Sequence, residues 1–225
     1  ALTLMQISVN EPDGFDPKLS KRNFKLSLGD ISESRVLPYL MEIVDGNAPR
    51  VSIGSYAYSR HDQVHALSTN NLDFVVDPVI PISDEINSMK VFEDSFVVAH
   101  RDNHELSKKS NVSIEDILNQ RHLNVSNRKR GLHLIDIELE KIGYKREIAL
   151  RCQHFLIAPE IIRSTDVVLF ATKSFAEKND LKYIEIPAEI PMMEYFLIWH
   201  KNDEGDGGHI WMKNLLVEAF KKAKK

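Results

Sequence analysis

Phe24, Leu26 and Leu28 alternate with Lys25 and Ser27 before the chain reaches Gly29-Asp30, and from Ile31 onward its apolar residues recur at helical spacing instead. That switch repeats along the sequence. It predicts strands at 24–30, 50–56 and 72–77, with helices at 32–45 and 58–69 between them. Val36, Leu37, Leu40, Met41, Ile43 and Val44 form the apolar side of the first helix, and Pro38, past its first turn, predicts a local kink or a later start. A second series follows: helix 113–119, strand 122–126, helix 131–142, strand 147–152, helix 155–163, strand 166–170, helix 173–178 and strand 182–186. Leu132, Ile135, Leu139 and Ile142 share one face of their helix. A long apolar strand from Val91 to His100 leads out of the first series, and Tyr195 to His200 leads back. The last helix, 208–222, carries Met212, Leu215, Leu216, Ala219 and Phe220 on one side and is expected to pack on the first series.

Strands that alternate with helices build open parallel sheets. The expected fold class is therefore α/β, with two lobes discontinuous in sequence: residues 24–99 with 200–225 in one, and 100–199 in the other. Residues 1–23, with Pro12, Gly14 and Pro17 and no periodicity, read as a linker. Two crossings predict a hinge and a central cleft, and ligands of such sheets sit at the carboxyl ends of the strands.

Composition narrows the function. A chain of 225 residues with 43% hydrophobic content can bury a full core. No stretch approaches the ~20 apolar residues that span a bilayer, and Ala1 to Asn10 lacks the basic start and apolar core of a signal peptide, so no membrane partner is expected. The single Cys152 excludes an internal disulfide and fits a cytoplasmic location, although a processed periplasmic protein would look the same. A net charge of −4 argues against this chain gripping nucleic acid alone. The basic run from Lys221 to Lys225 reads as a helix end whose cations meet the macrodipole.

Cys152 with His154, and His100 with His104, have ligand-like spacing but lack a third and fourth ligand, so no metal and no other cofactor is expected. Gly205-Asp206-Gly207-Gly208 follows no phosphate-loop pattern and reads as a turn. No nucleophile, base and orienting group stand at a recognisable spacing, which argues against an enzyme.

An ordered set of short motifs resembles one family. Phe15-Asp16-Pro17, Ser20-Lys21-Arg22-Asn23-Phe24, Ser32 through Leu37-Pro38-Tyr39-Leu40, Leu72-Asp73-Phe74, Leu106-Ser107, Gly143-Tyr144, His154-Phe155-Leu156-Ile157-Ala158-Pro159, Trp199-His200 and His209-Ile210-Trp211-Met212 occur in sequence order. Together they resemble the effector-binding domain of LysR-type transcriptional regulators, in the branch that governs nodulation and aromatic-compound degradation. The resemblance covers nearly the whole chain. It implies the two-lobed type 2 periplasmic-binding-protein fold, a small aromatic or carboxylate effector, and a homodimer or homotetramer. It also implies DNA contact only through an N-terminal winged helix-turn-helix, for which this sequence holds no counterpart; residues 1–9 resemble the tail of the linker helix that follows it.

The candidate effector-binding residues lie at predicted strand ends and helix starts. Asp30 and Glu33 have the spacing of a capping box, which gives Asp30 or Ser32 a structural role. Hydroxyls and free N–H groups there also suit a carboxylate or phenolate, and the resemblance favours Ser32 and Ser34. Tyr56 and Tyr58 stand at the next strand-to-helix turn, where such rings line a pocket or simply pack. In the second lobe Ser126-Asn127 end a strand and His133 opens a helix after the basic Arg128-Lys129-Arg130, which reads as a solvated loop or, facing the cleft, as a site for an anion. The resemblance places His154 and Phe155 at the pocket, and Phe170 with Ala171 would supply an apolar wall. An extracytoplasmic solute receptor of the same fold is the alternative, since fold does not fix function.

Overall fold

The computed structural model describes residues 14–126 and 133–223. Ten strands and seven α-helices, among the described residues, divide into two compact units, 1–92 with 194–225 and 93–193.

In the first unit, β1 (Asn23–Ser27), β2 (Ser52–Ser55) and β3 (Phe74–Asp77) form the parallel part of a sheet ordered β2-β1-β3-β10-β4, with β4 at Ile86–Asp94 and β10 at Met193–His200. Leu26 sits opposite Ser55 on one side and Phe74 on the other, and β10 runs antiparallel to β3. Helix α1 (Asp30–Asn47) turns Ser32, Val36, Leu40, Ile43 and Val44 inward, the three-and-four spacing that buries one helical stripe. It packs against α7 (Gly207–Lys222), whose Trp211, Met212, Leu215, Leu216, Ala219 and Phe220 are buried. Helix α2 (Arg60–Ser68) joins β2 to β3 and places Ala66 and Leu67 in a cluster with Leu72, Val75, Ile86 and Ile198.

The second unit repeats the plan. Strands β6 (His122–Val125), β7 (Ile148–Cys152) and β8 (Val168–Thr172) are parallel in a sheet ordered β7-β6-β8-β5-β9, with β5 (Phe96–His100) antiparallel to both β8 and β9 (Lys182–Glu185). Helices α3 (Ile114–Leu118), α4 (Leu134–Lys141), α5 (Ala158–Ser164) and α6 (Lys173–Lys178) connect them. α4 ends where Gly143 takes φ of +85°, a left-handed conformation that a side chain would strain, and Tyr144 N–H closes the turn on the Leu139 carbonyl at 2.9 Å.

Several expectations need correction. The apolar run Val91–His100 is two strands, because β4 stops at Asp94 and β5 pairs into the other sheet. The units consequently part after residues 92 and 193, not after 99 and 199, and Tyr195–His200 belongs to the first unit's sheet. Helix α1 begins well before Pro38 and runs through it. Pro38 and Ser34 are both exposed, so the helix carries its proline on the solvent side. Residues 155–157 form a 3-10 turn that leads into α5. Among the described residues no helix is long and apolar enough to cross a membrane.

Candidate functional site

Each unit ends three parallel strands on one edge, and most of the residues singled out in the sequence fall there. In the first unit β1 hands over to α1 through Gly29, whose extended backbone caps the helix without a side chain. The expected Asp30–Glu33 capping box is therefore not made: the position it needs is occupied by a glycine. Glu33 instead reaches sideways, its Oε1 accepting from Ser55 Oγ at 2.6 Å, which ties the first turn of α1 to the end of β2. Ser32 is buried on the inward stripe of α1. Ser34 is exposed and donates to the Ile31 carbonyl at 3.0 Å. Asp30 and Glu33 both place carboxylates in that first turn, where they complement the helix dipole.

Tyr56 N–H donates to the Leu26 carbonyl at 2.8 Å, extending the β1–β2 pairing, while its ring stays exposed and folds back over Gly54. A Cβ on Gly54 would lie 2.5 Å from the Tyr56 hydroxyl. Gly54→Ala is thus expected to swing the ring away with little loss of stability, because the group that must move is the exposed end of a side chain; loss of the nuclear Overhauser contact between residue 54 and the ring checks it. Tyr58 packs against the Ala66–Leu67–Leu72 cluster. Sequence reasoning missed Asp77, the last residue of β3, which accepts from Arg60 and from Val79 N–H at 2.7 and 2.8 Å. Its signal was there to read, a carboxylate closing an otherwise apolar strand.

In the second unit Ser126 follows β6, its N–H donating to the Cys152 carbonyl at 2.9 Å. Asn127 and the basic run 128–130 lie outside the described residues. His133 is half-buried at the start of α4, and its N–H donates to Asp136 Oδ2 at 3.1 Å. Asp136 in turn accepts from Arg146 Nε at 2.6 Å. Burial pulls the Asp136 carboxyl upward, but the hydrogen bonds and charge of Arg146 outweigh it and hold the group below the usual carboxylate range. His154 is exposed ahead of the 3-10 turn, and Phe155, half-buried, meets Phe175 edge-on at 5.2 Å.

Phe170 lies in the middle of β8. It is only 2% exposed, stacks on His122 at 5.3 Å and lies 5.4 Å from the Arg146 guanidinium, so it belongs to the core of the unit. Ala171 is buried as well. The polar group at that strand end is Thr172, which the sequence reading passed over.

The histidines considered as metal ligands are otherwise engaged. His104 Nδ1 accepts from Leu106 N–H at 3.2 Å, which leaves its Nε2 to donate to the Asp166 carbonyl at 3.1 Å. His100 Nδ1 meets the Arg101 carbonyl at 2.8 Å. Among the described residues no three His, Cys, Asp or Glu side chains gather closely enough to hold a metal ion.

The LysR substrate binding domain matches residues 18–221, and the chain belongs to that family of transcriptional regulators. It is similar to the transcriptional activator NagR of Ralstonia sp., 27% identical over 99% of this chain and 75% of the relative. It is also similar to nodulation protein D 1 of Bradyrhizobium sp. (strain NC92), 26% identical over 97% of this chain and 70% of that protein. A probable transcriptional regulator from Pseudomonas aeruginosa superposes with a TM-score of 0.80 at 26% identity, covering 96% of this chain and 71% of the other. The BenM effector-binding domain with benzoate gives 0.72 at 12% identity, covering 90% and 91%, which shows the shared α/β fold.

Proposed function

We propose that this chain senses a small aromatic or carboxylate effector on behalf of a cytoplasmic LysR-type transcriptional regulator. The observation that carries the proposal is the family match along 18–221, whose two units each end three parallel strands on one edge. Candidate contacts are Ser32 and Tyr56 beside the Glu33–Ser55 bond on the first unit, and Ser126 with the start of α4 at His133 on the second, each unit taken by itself. Binding shifts a conformational equilibrium and breaks no bond. The domain works as a homodimer or homotetramer, and operator contact falls to a separate DNA-reading domain.

A thermal-shift series with benzoate and phenol tests the reading. A true effector at a hundred times its Kd adds about 2.7 kcal/mol, and for a chain of this size each kcal/mol moves Tm by roughly 2–4 °C. The expected result is a saturable rise of several degrees with at least one probe. A flat response to both would remove the effector assignment.

A further inference from the structure

Thr172 is the last residue of β8 and is 3% exposed, yet its hydroxyl has no hydrogen-bond partner among the described residues. A threonine just ahead of a helix ordinarily caps it with that oxygen. Here the segment leading into β5 does that work. Lys173 N–H donates to the Ser95 carbonyl at 2.9 Å, Ser174 N–H reaches Asp94 Oδ1 at 3.4 Å, and Ser174 Oγ bonds Asp94 Oδ2. Thr172 makes no side-chain cap. Asp94 is itself buried, so the substitution is built into the core of the unit.

The sheet fixes where this spare hydroxyl stands. Parallel pairing sets His122 beside Val168 and Leu123 beside Leu169, so Ser126, the residue after β6, and Thr172, the last of β8, lie at the same carboxyl end of neighbouring strands. Two hydroxyl-bearing residues thus end adjacent strands at one edge. Thr172 also shares its sheet face with Phe170, two residues back, the face on which Arg146 and Asp136 lie, and Asp136 holds the start of α4 at His133. Helix α6 is too short to matter as an anion site; the hydroxyl is the feature. A buried hydroxyl without a partner is costly, and native structures keep such groups for a purpose.

We infer that Thr172 is a specificity-determining residue whose hydroxyl, beside Ser126, hydrogen-bonds an oxygen substituent, a carboxylate or a hydroxyl, of the effector. This rests on the sensing function proposed above. Thr172→Val keeps the shape and removes the oxygen, whereas Thr172→Ser keeps the oxygen. Without ligand, Thr172→Val is expected to leave Tm unchanged or raise it by about 2 °C, because no native bond is lost. A fall of several degrees would reveal a structural partner and overturn the inference. With benzoate and phenol as probes, whichever stabilises the wild type is expected to bind Thr172→Val about tenfold more weakly and Thr172→Ser normally. Equal shifts in wild type and Thr172→Val would overturn the role of Thr172 and leave the sensing function standing. No shift in any of the three proteins would sink the sensing function first, and this inference with it.

Discussion

Replacing Arg146 with alanine is expected to cost the second unit about 3–5 kcal/mol, the range for removing one partner of a buried ion pair. The Arg146 side chain is only 2% exposed. Its Nε and a terminal nitrogen donate to the two oxygens of Asp136 at 2.6 and 3.3 Å, and its other terminal nitrogen donates to the Leu123 carbonyl at 3.4 Å. Truncation would leave the Asp136 carboxylate partly buried without its cation and strip a cation from over the Phe170 ring. Because Asp136 also receives His133 N–H, the start of α4 would loosen with it. Exposed pairs such as Lys90–Glu194 and Lys141–Glu138 are worth ~1 kcal/mol or less by comparison. Both tryptophans, Trp199 and Trp211, lie in the first unit, so fluorescence would report the wrong half. Amide exchange of β6 and β8 measures the effect directly, and a loss below about 1 kcal/mol would show that the pair does not carry this packing.

The same cluster explains what could and could not be read from the sequence. Local periodicity was enough for the elements: Phe24 and Leu26 alternate into the core of β1, and the stripe Val36–Leu40–Ile43–Val44 is the buried face of α1. What failed depended on distant partners. Phe170 reads in the sequence as a strand end, but β8 runs on to Thr172, and His122 and Arg146, remote in sequence, pack against the ring. Val91–His100 reads as one strand because nothing local shows that Asp94 is buried on Ser174. Glu33 has capping spacing from Asp30, yet its partner is Ser55, brought near by the parallel pairing of β1 with β2. Thr172 was overlooked for the converse reason. Its position before a helix reads as a routine cap until Ser95 and Asp94 are found taking that role.

Acidification from pH 6.5 to 4 is expected to remove about 3 kcal/mol of stability through His122 alone. Burial, reinforced by the nearby charge of Arg146, pushes the His122 imidazole down to about 4 from an ordinary 6.5. Its Nε2 lies 3.1 Å from the Ile117 carbonyl and must carry the proton there, while the stacked Phe170 ring offers no counter-charge. The sign follows from proton counting. Between pH 6.5 and 4 the unfolded histidine takes a proton that the folded one refuses, so stability falls as pH drops through that window and is fully present above it. Burial also lowers His100 and His209, which add to the slope in the same direction. Asp136, held below its ordinary value, loses its contribution only at more acid pH, as its carboxylate protonates. Denaturant midpoints at pH 7, 6, 5 and 4.5 for the wild type and His122→Asn separate these contributions. The variant removes the titrating ring and is expected to lose about 1.4 kcal/mol per pH unit from the slope, one proton's worth, whatever it costs in overall stability through the Ile117 bond. Arg146→Ala, by removing the charge that disfavours the imidazolium, is expected to flatten the same window even as it lowers stability throughout. An unchanged slope in His122→Asn would place the acid sensitivity elsewhere in the molecule.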